Sequence, residues 1–250
     1  MDKYALYHGD CLKELDNLKE GIVDLVICDL PFGTTNCAWD SVIDLKELWN
    51  QYDRVTKGKT AILLFAQVPF NITLGNSNLK QLRYEWIWEK TTATGHLNAK
   101  KMPMKAHENI LVFYDTLPTY NPQMTTGHKP VNRYTKRSDD GEIYGKTQAG
   151  ISGGGSTERY PRDILTFSTD KQKSALHPTQ KPVKLIEYLI NTYSNEGDVV
   201  LDNTMGSGTT GVAAANTGRR FIGMEQDDDY FKISEERIQS AYNKAELLGM

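Results

Sequence analysis

The sequence predicts an α/β domain of three layers, helices on both faces of a largely parallel sheet, and three observations carry that prediction. Strand-like and helix-like runs alternate over residues 4–114 and again from residue 181. Two runs, VDLVICD at 23–29 and DVVLD at 198–202, are largely apolar and end in an acidic residue, as suits parallel strands buried on both faces. A glycine-rich turn follows the second run directly and opens a helix. Ligands of such domains bind beyond the C-terminal ends of the strands.

In chain order, YALYHGD at 4–10 reads as a strand ending in an acidic turn, and CLKELDNL at 11–18 has helical leucine spacing. After the strand at 23–29, residues 41–57 are helical in pattern, and TAILLFA at 60–66, YEWIWEK at 84–90 and ENILVFY at 108–114 are β-rich. Residues 118–175 are rich in Pro, Ser, Thr and Asn and include GISGGG at 150–155, so a loop-rich region is expected there. Loops longer than about 15 residues inside a compact domain are commonly functional. Regular structure returns with a helix at 181–194, the strand at 198–202, a helix at 209–218, the strand RRFIGME at 219–225 and a C-terminal helix from about residue 229.

The chain has 250 residues, enough for one large domain or one domain with an insertion. With 39% hydrophobic and 24% charged residues and a mean hydropathy of -0.53, it reads as a soluble globular protein. No apolar run approaches the roughly 18–20 residues of a spanning helix, and the start lacks the pattern of a signal peptide, so no membrane partner and a cytoplasmic location are expected. Cys11, Cys28 and Cys37 have no metal-ligand spacing and suggest neither a disulfide framework nor a zinc site. The net charge of -3 is unevenly spread: residues 90–184 carry a net +7 and the remainder -10. A polyanion would find its partner surface in that middle segment.

The turn Asp202-Asn203-Thr204-Met205-Gly206-Ser207-Gly208-Thr209-Thr210 sets a carboxylate and two glycines before a helix. Gly206 and Gly208 allow close backbone approach to a ligand, and the helix N-terminus offers free N–H groups. Glu225 ends the next strand, about twenty residues on, where an acid can hold ribose hydroxyls. A phosphate-binding loop would carry Gly-Lys-Ser/Thr, and a dinucleotide fold a third glycine; neither is present. S-adenosylmethionine is the cofactor left, although an ordinary tight turn could look the same.

Asp29-Leu30-Pro31-Phe32-Gly33 ends the buried strand at 23–29. The exocyclic amine of adenine or cytosine is a poor nucleophile because its lone pair is delocalised into the ring. If the Asp29 carboxylate and a backbone carbonyl at Leu30 or Pro31 each accept one N–H, the nitrogen is drawn toward tetrahedral geometry and its lone pair is freed. Pro31 fixes the turn, and Phe32 offers a ring on which an extruded base can stack.

Asp-Leu-Pro-Phe resembles the Asp-Pro-Pro-Tyr tetrad of amino methyltransferases, and residues 202–210 resemble their S-adenosylmethionine motif. His177-Pro178-Thr179-Gln180-Lys181-Pro182 matches the segment before the cofactor motif in the β class of DNA adenine-N6 and cytosine-N4 methyltransferases. The order fits that class too: catalytic tetrad, target-recognition region, then cofactor motifs. The resemblance implies a Rossmann-like methyltransferase fold, circularly permuted, with a catalytic domain at 1–115 and 176–250 and a target-recognition region at 116–175. It implies that Asp29, Pro31 and Phe32 hold the target base. It also implies that Asp10, Lys181, Asp202, Thr204, Gly206, Gly208, Thr209, Thr210 and Glu225 bind the cofactor, with Asp10 at its adenine and Lys181 at its carboxylate.

Leu30 and Phe32 depart from the family tetrad, yet leave the carboxylate, the carbonyls and an aromatic ring in place. The opening aspartate favours adenine, since the cytosine-N4 enzymes usually begin with serine. The partner implied is double-stranded DNA, with Lys129, Arg133, Lys136 and Arg137 as the candidate contact strip around Tyr134. A homodimer is suggested by family analogy alone. Cys28 lies inside a strand and Cys37 follows Asn36 instead of a proline, which argues against a cytosine-C5 enzyme. Cytosine-N4 in DNA, adenine in RNA, and a binding-only methyltransferase fold stand as the alternatives.

Overall fold

A computed structural model describes residues 2–32, 43–135, 150, 152–169 and 180–249. It divides into two compact units, Met1–Asn121 with Asp163–Met250, and Pro122–Arg162.

The first unit is built on an eight-stranded sheet. Its strands are β1 (Tyr4–His8), β2 (Val23–Cys28), β3 (Thr56–Ala66), β4 (Leu82–Thr94), β5 (Lys105–Phe113), β8 (Ile164–Phe167), β9 (Val199–Asp202) and β10 (Arg220–Glu225). The order across the sheet is β1-β10-β9-β2-β3-β5-β4-β8. The first five strands in that order are mutually parallel, β5 runs antiparallel to β3 and β4, and β8 is parallel to β4. The parallel strands therefore end on one edge, at His8, Glu225, Asp202, Cys28 and Ala66, with Asp10 and Asp29 following just after β1 and β2.

Alternate residues of the central strands serve opposite layers. Leu25, Ile27, Ala61, Leu63 and Phe65 pack with α4 (Val183–Tyr193), α5 (Thr209–Asn216) and α6 (Asp228–Leu247). Val26, Cys28, Ile62 and Leu64 pack with α1 (Cys11–Asp16), α2 (Leu45–Val55) and α3 (Phe70–Ser77). This is why β2 is apolar without a break from Leu25 to Cys28, and β3 from Ala61 to Ala66, instead of alternating.

The helix starts follow the capping chemistry of the sequence. Asp44 accepts the N–H groups of Lys46 and Glu47 at 2.9 and 3.2 Å, and Asp227 accepts those of Asp229 and Tyr230 at 3.0 Å. Each aspartate satisfies helix donors that have no partner within the helix.

Three expectations change. The helix expected from residue 181 begins at Val183, because Pro182 is extended at φ -65° and ψ 129°, leaving Lys181 outside the helix. Inside the span read as loop-rich, Ile164–Phe167 adds an edge strand beside β4. The segment after Pro69 forms α3, whose helical pattern is too short and too mixed to stand out in the sequence. Among the described residues, no helix is long and apolar enough to cross a membrane.

The second unit, Pro122–Arg162, contains a short antiparallel pair, β6 (Tyr134–Thr135) with β7 (Ser152–Gly153), and a bridge between Thr125 and Arg159. The Arg159 guanidinium donates to the carbonyl of Lys129 at 2.5 Å and to that of Ser156 at 3.0 Å, so it ties this unit together.

Candidate active site

A cavity of about 310 Å³ opens at the edge where the parallel strands end. It is lined by Asp10 after β1, Asp29–Phe32 after β2, Lys181 before α4, Asp202–Ser207 after β9, Thr209 and Thr210 at the start of α5, and Glu225 at the end of β10. The sheet order sets these groups side by side. Neighbouring strands lie about 4.8 Å apart, so the acids at the ends of β10, β9 and β2 form a row roughly 10 Å long.

The glycine turn is held from both sides. Glu225 Oε2 accepts the N–H of Gly206 at 2.9 Å, while its Oε1 accepts those of Gln226 and Asp227 at 2.9 Å. Gly206 and Gly208 take φ of +50° and +80°, the left-handed region that side-chain-bearing residues rarely adopt. A Cβ on Gly208 would meet Ser234 Cβ at 2.9 Å and Ser234 Cα at 3.1 Å, so this glycine also serves the contact between α5 and α6.

Asp202 is buried and accepts a hydrogen bond from the Thr210 hydroxyl at 2.6 Å and one from the Thr204 N–H at 3.1 Å. Burial pushes its carboxyl up to about 7 despite those two bonds. Burial raises Glu225 as well, against its three backbone donors. Thr209 has a buried hydroxyl with no partner among the described residues, and it lines the cavity at the start of its helix. Asp10 caps α1 through the N–H of Lys13 at 3.3 Å and also lines the cavity.

Thr204 does something the sequence did not indicate. Its hydroxyl donates to the main-chain carbonyl of Asp29 at 3.2 Å and so joins the glycine turn to the tetrad. With that carbonyl taken, the acceptors left for an incoming amine are the Asp29 carboxylate and the carbonyls that follow it. Phe32 stacks on Phe70, with centroids 5.1 Å apart and planes 29° from parallel.

Lys181 is buried, and its ammonium pairs directly with Asp29 Oδ2 and lies 3.3 Å from Glu108 Oε2. Glu108 in turn meets Lys90 at 2.5 Å. Two carboxylates and two ammonium groups thus form a chain, Asp29–Lys181–Glu108–Lys90, of zero formal charge. Burial pulls Lys181 down, but Asp29 and Glu108 outweigh it and hold the ammonium charged. Burial raises Glu108, yet Lys181 and Lys90 outweigh that and keep it ionised. Asp29 is raised by burial, and Lys181 opposes the rise. Lys181, expected at the cofactor carboxylate, thus pairs with the tetrad acid at the mouth of the same cavity. Lys181 also lies over the Phe65 ring, 5.0 Å from its centroid.

Asn203, Glu108 and Lys90 escaped the sequence reading. Asn203 lines the cavity and accepts at Oδ1 from the Tyr52 hydroxyl at 2.6 Å and from the Cys28 thiol at 3.0 Å. Its place inside the cofactor turn was the available signal. Burial raises Cys28, the nearby Asp202 raises it further, and it stays a protonated donor. Lys129 and Arg133 belong to the second unit, and both are exposed. Lys136, Arg137, Gly33, Cys37 and the His177–Thr179 part of the third motif lie outside the described residues.

Comparison with known proteins gives a family and a fold. The family model described as DNA methylase, for N6 and N4 enzymes, matches residues 23–236. The DNA adenine methyltransferase YhdJ of Escherichia coli K12 is 29% identical over 265 residues, covering 97% of this chain and 86% of that protein. Among solved structures, the M1.HpyAVI–SAM complex superposes with a TM-score of 0.63 at 24% identity, covering 94% of this chain and 99% of that one. The cytosine-N4-specific PvuII DNA methyltransferase superposes with a TM-score of 0.64 at 18% identity, covering 97% and 92%.

Proposed function

The chain belongs to the N6/N4 DNA methylase family, and from that premise we propose that it methylates N6 of adenine in duplex DNA, using S-adenosylmethionine, on a base turned out of the helix. The observation that carries this reading is the convergence of the Asp29 tetrad and the glycine turn on one cavity, tied together by the Thr204 bond to Asp29. The choice of adenine is supported by the aspartate that opens the tetrad and by the likeness to YhdJ over nearly the whole chain.

The cavity fits the cofactor on chemical grounds. Glu225, fixed by three backbone donors, has lone pairs left to accept ribose hydroxyls, and Asp10 stands one strand further at the adenine end. Gly206, Gly208 and Thr210 shape the turn, Asp202 and Thr204 hold it, and the unpartnered Thr209 hydroxyl is free to bond the amino-acid portion. Bound there, S-adenosylmethionine supplies an electrophilic methyl group on a sulfonium.

The chain's own groups prepare the nucleophile. The Asp29 carboxylate accepts one amino N–H and the carbonyl of Leu30 or Pro31 accepts the other, so the nitrogen lone pair is released from the ring. Lys181 opposes the burial-driven rise of Asp29 and pairs with its Oδ2, which leaves the second carboxylate oxygen to accept the amine. Phe32, backed by Phe70, stacks on the displaced base and offsets part of the few kcal/mol of unstacking. Lys129, Arg133, Lys136 and Arg137, within the 116–175 recognition region, contact the DNA backbone and base edges. The enzyme acts in the cytoplasm, and dimer formation is a matter for a solution mass measurement.

The test is to incubate the protein with methyl-labelled S-adenosylmethionine and unmethylated duplex DNA, digest to nucleosides and identify the labelled species by mass spectrometry. N6-methyldeoxyadenosine is the expected product. N4-methyldeoxycytidine would overturn the choice of base, and label in RNA alone would overturn the choice of nucleic acid.

A further inference from the structure

The hairpin that joins β4 to β5 stands out from the same edge of the sheet as Asp29. Register places it: Cys28 pairs with Leu64, Leu64 with Leu111, and Trp86 with Ile110, so Asp29 lies level with the Phe65–Ile110–Trp86 row. Lys105 is five residues beyond that row on β5, opposite Thr94 on β4. At about 3.4 Å per residue, the tip rises roughly 17 Å past the level of Asp29, on the side from which a substrate base must arrive.

Its composition is that of a polyanion contact. Residues 90–107 contain Lys90, Lys100, Lys101 and Lys105 with His96 and His107, and no acidic residue. Lys90 is spent in the buried network with Glu108, but Lys100, Lys101 and Lys105 are exposed and take part in none of the ion pairs among the described residues. Surface lysines of a folded domain are commonly interspersed with acids, and here three stand together with none. Between them the hairpin exposes large apolar side chains: Leu97 is 88% exposed, Met102 54% and Met104 40%. Gly95, at φ +90°, and the short turn His96–Asn98 push Leu97 outward at the apex. Neither part of this surface supports the core, and apolar side chains exposed at the end of a protruding ribbon mark a surface that meets a partner.

From these observations we propose that the β4–β5 hairpin tip is a DNA contact separate from residues 129–137, in which Lys100, Lys101 and Lys105 grip backbone phosphates and Leu97 and Met102 wedge against base steps beside the target. Lysine at a phosphate supplies affinity without sequence choice, and Leu or Met inserted at a step eases its unstacking. The proposal rests on the DNA-directed reading above. It extends that reading by supplying a grip on the side of the cavity mouth where β3 and β4 end and β5 begins, through a ribbon whose base shares the Glu108–Lys90 pair with Lys181.

The test is equilibrium binding of a fluorescent DNA duplex over a salt series, with wild type, the variant K100A/K101A/K105A and the variant L97S/M102S. The lysine variant should lose roughly ten- to a hundredfold in affinity near 0.1 M salt and reduce the slope of log K against log salt by about 2–3 units. The apolar variant should lose severalfold in affinity with the slope kept. Cofactor affinity should match wild type in both, since every changed side chain is exposed and outside the cavity. A lysine variant with the wild-type affinity and slope overturns the phosphate grip, and an apolar variant with wild-type affinity overturns the wedge. The identity of the methylated nucleoside, read on the wild type, tests the earlier reading and does not enter these slopes.

Discussion

Lys181 and Asp29, 152 positions apart in the chain, are joined by a direct ion pair beneath the candidate methyl-transfer site. Burial raises the acid that must accept an amino N–H, and that rise is opposed by a lysine whose own charge is secured by Asp29 and by a second carboxylate, Glu108.

Removing Lys181 should shift the acidic limb of the reaction. Burial raises Asp29 and Lys181 is the larger of the two lysines that oppose that rise, so Lys181→Met leaves only the weaker effect of Lys90 against it. Asp29 accepts the amine only when ionised, and turnover therefore rises with pH through its titration. The Lys181→Met limb should move to higher pH. Glu108→Gln removes a charge that raises Asp29 and should move the limb the opposite way. A kcat profile from pH 5 to 9 reads both shifts; limbs that stay in place would show that Asp29 titration does not govern the rate.

Asp202 should make the cofactor-free protein less stable as pH rises. Its folded-state value, about 7, lies above the ordinary 3.8, so folding favours the protonated form. That contribution is full below about pH 4 and is lost as pH climbs through 7, a difference of a few kcal/mol. Asp202→Asn keeps an oxygen for Thr204 N–H and an amide for the Thr210 hydroxyl, and it cannot ionise. Thermal unfolding at pH 5 and pH 8 should show a smaller pH difference in the variant than in wild type.

What the sequence made legible was chemistry concentrated in contiguous runs. Asp29–Phe32 and Asp202–Thr210 each sit where a buried strand breaks into a turn, and residues that shape such a turn are close in sequence. Glu108 and Lys90 were invisible for the opposite reason. A charged residue at a strand end reads as solvated, and only the pairing of Trp88 with Glu108 brings both charges beneath Lys181. The pairing of Lys181 with Asp29 was invisible because the two residues stand 152 positions apart. The edge strand Ile164–Phe167 is likewise a four-residue run, too short to carry a period and made a strand by Ile87–Lys90 beside it.

Gly208→Ala should cost about 2 kcal/mol or more, because φ of +80° strains an alanine and its Cβ meets Ser234 at 2.9 Å. Gly95→Ala, at φ +90° with nothing within 4 Å, supplies the backbone cost alone. At this size the first should lower Tm by several degrees, roughly 2–4 °C per kcal/mol, and the second by less. Calorimetry on both variants separates strain from crowding, and equal losses would mean that the contact with Ser234 is easily relieved.

Phe32→Ala should weaken base capture with cofactor affinity unchanged, since base–aromatic stacking contributes about 1–3 kcal/mol. Phe32→Tyr keeps the ring on Phe70 and should retain most of kcat/KM. Steady-state kinetics with duplex DNA decides between them, and equal rates for the two variants would remove Phe32 from the account.

The most direct measurement is single-turnover methyl transfer by Asp29→Asn, with cofactor and DNA affinities measured on the same preparation. Asparagine preserves the shape and loses the charge. A fall of about 10²–10³-fold in rate with both affinities within a few fold of wild type is the predicted result. Transfer at the wild-type rate would contradict the assignment of Asp29 as the group that frees the amine.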